Sequence, residues 1–146
     1  MTDVPANAVD LAQAFEGFSA TPYVCPAGHW TIGYGHLCAK DHPPITHEQG
    51  VEYLRQDMII ALSGALRYCP WLAGKEDVLG AITDFVFNLG AGRLRASTLR
   101  KRINEGDWWA ARKELARWVY GGGRILRGLV LRRAAEANYL PKGGQF

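Results

Sequence analysis

The stretch EGFSATPYVCPAGHWTIGYGHL, residues 16–37, is where the chain changes character. Just before it, residues 5–16 repeat Val9, Ala12 and Phe15 along one side at helical spacing, and Gly17 follows as a stop signal. Inside it, Tyr23, Val24, Trp30, Thr31, Ile32 and Tyr34 are strand formers arranged around the turn sequence Pro26-Ala27-Gly28. A short helix followed by a small hairpin-like sheet is the expectation.

Beyond the hairpin the pattern turns helical and stays so. Thr46-His47-Glu48-Gln49 is a capping box, in which Thr46 caps the helix and Gln49 reaches back. Val51, Leu54, Met58, Leu62 and Ala65 then recur at helical spacing until Pro70. That predicts a helix of about twenty residues, roughly 30 Å long, whose stripe serves packing. Val78, Ile82, Phe85, Val86 and Leu89 mark another helix, closed by Gly90 and Gly92. Ser97 or Thr98 caps the next, which runs to Asn104 and Gly106. Asp107 opens a helix carrying Trp108, Ala111, Leu115 and Trp118; Gly121-Gly122-Gly123 reads as a loop. Leu126 to Tyr139 gives a last helix, and the tail from Pro141 to Phe146 reads as loose.

The fold class is therefore α+β, mostly helical, in a single domain over residues 1–146. A small N-terminal lobe spans about residues 14–45, a connecting helix about 46–68, and a helical lobe about 69–140 with the N-terminal helix added. Two lobes joined this way leave a cleft, a favoured place for binding.

Composition narrows the function classes. No apolar run approaches the ~20 residues that span a bilayer. The start, MTDVPANAVD, carries acids where a secretory signal carries bases. Three cysteines, Cys25, Cys38 and Cys69, leave at least one thiol free, which argues against a disulfide scaffold. Charge is lopsided: residues 93–133 hold twelve Lys/Arg against three Asp/Glu, whereas residues 1–92 hold four against ten. A basic C-terminal half attracts polyanions, including anionic envelope polymers, although many such arginines simply solvate helix faces.

Glu16 is the one acid between Asp10 and Asp41, and its neighbours Phe15 and Phe18 are apolar. A carboxyl in apolar surroundings tends to keep its proton, and a protonated acid is what cleavage of a glycosidic bond requires. Cys25 and Thr31, on a hairpin folding back towards Glu16, could hold the water or shield the developing cation.

Three ordered motifs resemble those of the phage-type lysozymes, glycoside hydrolase family 24. The first is Glu16-Gly17-Phe18, eight residues, Cys25, five residues, then Thr31 within Thr31-Ile32-Gly33-Tyr34-Gly35-His36-Leu37. The second is Phe85-Val86-Phe87-Asn88-Leu89-Gly90-Ala91-Gly92 with Ser97-Thr98-Leu99 and Asn104-Glu105-Gly106-Asp107; the third runs from Gly128 to Glu136 through Arg132-Arg133. The resemblance implies a two-lobed lysozyme-like fold that hydrolyses the β-1,4 bond between N-acetylmuramic acid and N-acetylglucosamine in peptidoglycan, as an endolysin. It implies Glu16 as the acid, Cys25 at the position that more often carries Asp, and Thr31 as the residue placing water. Leu37, Phe87 and Ser97 match positions lining the saccharide groove, and His36 matches a histidine that packs behind the site. No cofactor or metal is implied.

Cys25 is the departure. A thiol with pKa near 8.5 is a few per cent thiolate at neutral pH, so it is a poor fixed counter-charge and serves either as a nucleophile or to orient water. A disulfide from Cys25 to Cys38 or Cys69 would block the site, against the simpler reading of three independent thiols.

Rival classes are a zinc module using Cys25, His29, His36 and Cys38, whose spacing fits no common finger, and a nucleic-acid binder stacking bases on Trp108, Trp109 and Trp118. At least two of those tryptophans are expected in the core. A chitinase and a lytic transglycosylase stay open within the enzymes, and a cysteine protease finds no support around Cys25. The protein is expected to be a monomer that accumulates in the host cytoplasm and reaches the periplasmic wall after another protein lets it out.

Overall fold

The computed structural model describes residues 3–142. Helix α1 (Ala6–Glu16) ends where Gly17 takes φ 68°, and strands β1 (Ser19–Val24), β2 (Trp30–Gly33) and β3 (His36–Leu37) follow as one antiparallel sheet in that order. The expected hairpin thus gains a short third strand, paired through Thr31↔Leu37 and Ile32↔His36.

Helix α2 (His47–Tyr68) has the reciprocal cap that the sequence predicts: Gln49 N–H donates to Thr46 Oγ1 at 3.1 Å, and Thr46 N–H donates to Gln49 Oε1 at 2.8 Å. Its 22 residues extend roughly 33 Å at 1.5 Å per residue. Leu54, Met58, Leu62 and Ala65 are buried along one stripe. This helix touches β2 and β3 as well as the later helices α3 (Glu76–Leu89) and α4 (Ala91–Arg95), so it ties the sheet to the helical part. A single 3₁₀ turn, Pro70–Leu72, separates α2 from α3.

The core lies among the helices, with Met58, Leu79, Ile82, Phe85, Leu99 and Ile103 fully enclosed. Burying each such side chain stabilises the fold by about 1.5–3 kcal/mol. Helix α5 (Thr98–Glu105) is capped by Ser97 and stopped by Gly106 in the left-handed region; α6 (Trp108–Leu115) is capped by Asp107. The last helix, α7 (Arg127–Ala137), packs on α1 and α3, which brings the far end of the chain to Glu16.

Three local expectations are corrected. Gly92 does not close α3; Gly90 does, and Gly92 lies inside α4. Trp118 lies beyond α6, because Arg117 and Trp118 bond back only three residues, to Glu114 and Leu115, and the helix tightens into turns. The glycine run is a hairpin, β4 (Tyr120–Gly121) with β5 (Arg124–Ile125), turning on Gly122 and Gly123 at φ 59° and 79°. Positive φ at both central residues is what a tight two-residue hairpin demands. The expectation of a loose tail at residues 143–146 lies outside the described residues.

Candidate active site

Glu16 is the final residue of α1, and its side chain is 22 % exposed. The setting differs from the apolar one suggested by Phe15 and Phe18. Arg132 of α7 donates from Nη1 to Glu16 Oε2 at 2.6 Å. The same guanidinium grips the fully buried Asp84 of α3 with two parallel bonds, Nε to Oδ2 at 2.9 Å and Nη2 to Oδ1 at 2.7 Å. Bidentate pairing fixes the plane of the guanidinium, so Nη1 is aimed at Glu16 by Asp84. The guanidinium carbon also lies 5.7 Å from the ring centre of Phe15 and 6.0 Å from that of Phe87.

On its other side Glu16 meets the sheet. A methyl group on Gly35, at the β2–β3 turn, would come within 2.9 Å of Glu16 Oε1. Gly35 also holds φ +77°, so both space and backbone ask for glycine there.

Cys25 and Thr31 are brought together by the hairpin. Tyr23 pairs with Thr31 across the ladder, and Cys25 lies just beyond the end of β1, where the Thr31 hydroxyl bears on its thiol. Thr31 is only 2 % exposed and donates its hydroxyl proton to the His29 carbonyl at 2.9 Å. That carbonyl also accepts the Cys25 amide at 2.9 Å, which closes the turn. Burial pushes the Cys25 thiol up, but a backbone hydrogen bond at His29, the Thr31 hydroxyl and the backbone at Ala27 and Gly28 outweigh it, and the net shift is downward. The single Thr31 proton has two acceptors within reach, so it serves the carbonyl or a Cys25 thiolate, not both at once.

Tyr23 is the residue the sequence reasoning passed over. Its phenol is raised above the usual tyrosine range by burial, then by the negative fields of Glu16 and of the Cys25 thiolate. Its phenol therefore stays a neutral O–H at neutral pH, in the field of both groups. Its identity as a strand former hid it.

The three groove positions divide. Leu37 is 65 % exposed and is the cross-strand partner of Thr31, so it borders the hairpin site. Phe87 lies near Glu16 through Arg132. Ser97 lines a separate cavity of about 860 Å³ with Leu89, Arg93, Arg117, Trp118 and Tyr120. Its hydroxyl is committed locally, donating to the Leu94 carbonyl at 2.8 Å and accepting the Arg100 amide at 3.0 Å. His36 is engaged by α2, with Nδ1 2.8 Å from Asp57 Oδ2 and its ring stacked on Tyr53. That engagement takes His36 away from the zinc set. Of the tryptophans, Trp108 and Trp118 pack against the core, and Trp109 is 70 % exposed beneath Lys113.

The family profile described as Phage lysozyme matches residues 13–136. The chain belongs to the phage lysozyme family. The muramidase glycoside-hydrolase class read from the motifs goes with that membership. The endolysin of Bacillus phage PZA is 34% identical over 92% of this chain, which spans about half (54%) of that relative's length. The SAR-endolysin of Escherichia phage Mu is 43% identical over 83% of this chain and 71% of its own. The active form of the P1 phage endolysin Lyz superposes with a TM-score of 0.79 at 26% identity, over 92% of this chain and 83% of that one. The lysozyme-like α+β fold expected from the sequence is borne out.

Proposed function

We propose that this phage lysozyme hydrolyses the β-1,4 bond between N-acetylmuramic acid and N-acetylglucosamine in peptidoglycan, within a cleft between the sheet and the helical part, as an endolysin that lyses the host. The observation that carries this is the placement of the Glu16 carboxyl, aimed by Arg132 on one side and seated against Gly35 on the other, beside the hairpin that carries Cys25 and Thr31.

Glu16 gives its proton to the leaving glycosidic oxygen, and the sugar develops oxocarbenium character. Thr31, with its own proton on the His29 carbonyl, offers oxygen lone pairs to orient an incoming water. Cys25 lies beside it, either holding that water or attacking as the thiolate that its hydrogen bonds favour. In this reading Leu37, opposite Thr31 in the sheet, and Phe87, against Arg132, contribute to the saccharide path, and Ser97 contributes through the cavity that it lines.

The test is release of reducing ends from purified peptidoglycan by the wild type and by Glu16→Gln. Loss in a variant that melts like the wild type supports the reading; full activity in the variant overturns it. Anhydro-sugar products would replace hydrolysis by transglycosylation.

For the route to the wall, the reading is cytoplasmic accumulation followed by passage through a membrane lesion made by another protein. Among the described residues no helix is long and apolar enough to cross a membrane. Lysis of cells that express this chain alone would replace that route by one in which the protein exports itself. Exposed arginines at positions 117, 124 and 127 leave contact with anionic envelope polymer as an auxiliary role, tested by salt-sensitive binding to isolated envelopes.

A further inference from the structure

Helix α7 has its polarity inside out. A surface helix ordinarily turns its charged side chains to solvent and its apolar stripe to the core. Here the buried residues are Arg132, Arg133 and Glu136, whereas Val130 is 41 % exposed and Leu131 47 %. At 3.6 residues per turn, Arg127, Val130, Leu131 and Ala134 fall on one side of the axis, and all four are exposed. That side is opposite Arg132, and so is turned away from Glu16. The ion pairs account for the polar inner face, because Arg132 serves Asp84 and Glu16 while Arg133 serves Glu136 and Asn88. They do not account for the apolar outer one.

The hairpin before α7 extends this outer face. The Leu126 amide donates to the Val119 carbonyl at 2.9 Å, and its exposed side chain lies against Gly121, so β4–β5 is fastened to the start of the helix. Arg124 and Arg127 flank Leu126; both are exposed, and neither makes an ion pair among the described residues. The sequence holds no acid between Glu114 and Glu136. Glu114 is engaged by Arg117 at 3.2 Å, and Glu136 is buried.

Charge and size together select the occupant. Exposed apolar side chains rimmed by unpaired arginines complement an anionic bilayer, where the former enter the headgroup–acyl boundary and the latter meet phosphates. A second copy of the chain is disfavoured, since a two-fold contact sets Arg124 and Arg127 against their own counterparts. One face of an 11-residue helix, about 16 Å long, also offers far less than the roughly 800 Å² that a stable interface buries on each partner. We propose that Leu126, Val130, Leu131 and Ala134, with Arg124 and Arg127, dock this chain peripherally on anionic phospholipid bilayers, with Glu16 turned away from the lipid. This rests on the envelope contact read above from the arginines, narrows it to a lipid surface, and is independent of the assignment of the acid.

The test is co-sedimentation of the full chain with phosphatidylglycerol and with phosphatidylcholine vesicles, beside retention on immobilised dextran sulfate as a lipid-free polyanion. The wild type is expected to bind phosphatidylglycerol at least about tenfold more tightly than phosphatidylcholine. Val130→Ser combined with Leu131→Ser should weaken that binding about tenfold, while polyanion retention and reducing-end release from lipid-free peptidoglycan stay unchanged. Equal vesicle binding by the wild type and this variant overturns the proposal and leaves a contact made by charge alone. No binding to either vesicle or to the polyanion overturns it together with the envelope contact. A lipid-free dimer in size-exclusion chromatography, lost in the variant, gives the face to a second copy and overturns it too. A second measurement needs no variant: amide hydrogen exchange of the wild type on phosphatidylglycerol vesicles. Slowed exchange is expected across residues 124–134, and slowing confined to other segments overturns the proposal.

Discussion

Arg132 holds Glu16 across 116 positions of sequence, with Nη1 2.6 Å from Oε2 while its other two nitrogens, Nε and Nη2, donate to Asp84. One buried guanidinium thereby joins α1, α3 and α7, and the orientation of the acid depends on the integrity of the helical core. A surface ion pair would contribute little; this one is enclosed, so removal of a single partner strands the charge of the others.

Arg132→Gln leaves Asp84 buried without its counter-charge. The expected destabilisation is about 3–5 kcal/mol, read from urea unfolding at neutral pH. Arg132→Lys keeps the charge but loses the fork, so it should recover part of the stability and little of the activity, since one ammonium cannot serve Asp84 bidentately and Glu16 as well. Equal activity for Lys and Arg at this position would show that the fork geometry is irrelevant to Glu16.

Gly35→Ala tests the contact on the opposite side. The methyl would meet Glu16 Oε1 at 2.9 Å on a backbone with φ +77°. Strain of about 1–2 kcal/mol is expected in the melting curve. Activity should fall by about tenfold or more, out of proportion to the folded fraction, because an acid displaced by about 1 Å loses its alignment. A loss of activity that tracks stability alone would remove Gly35 from the site.

Much of this was legible in the sequence, and the rest for definite reasons was not. The caps at Thr46, Ser97 and Asp107, the stop at Gly17 and the strand formers around Pro26 are local signals, and each acts within a few residues of its cause. Glu16, Cys25 and Thr31 were singled out by the resemblance of their motif to that of the phage-type lysozymes, and the hairpin does bring Cys25 and Thr31 together. Arg132 and Asp84 were invisible as partners because 48 positions separate them and nothing local marks an arginine as buried. Strands β4 and β5, two residues each, are too short to show alternation, so a glycine run was all that could be read.

Cys25 falls where the motifs that this sequence resembles more often carry Asp, and two substitutions test what the thiol does there. Cys25→Ser keeps a small hydroxyl but loses the thiolate, whereas Cys25→Asp restores a permanent anion. The serine variant is expected to lose more activity in the reducing-end assay, and equal activity in both would leave the side chain without a specific role. The thiol's lowered pKa also predicts its reactivity. At pH 7.5 iodoacetamide should label Cys25 before Cys38, whose thiol burial pushes up, and Cys69 last, as judged by peptide mass.

Cys69 gives a pH dependence of stability with a fixed sign. It is fully buried at the end of α2, and burial pushes its thiol from 9.0 up to about 11, against a smaller downward pull from Arg100. The folded state therefore holds a proton that the unfolded state has released between those two values. Its contribution is complete below pH 9 and is lost as the pH rises through 11. Over that window the loss amounts to about 2–3 kcal/mol, at 1.36 kcal/mol per pH unit. Cys69→Ala should be less stable than the wild type at pH 8, through the small cavity it leaves, and the gap should narrow steadily towards pH 11. Urea unfolding of both proteins across that range measures the gap directly; a constant difference would mean that the thiol ionises as readily in the folded chain as in the unfolded one.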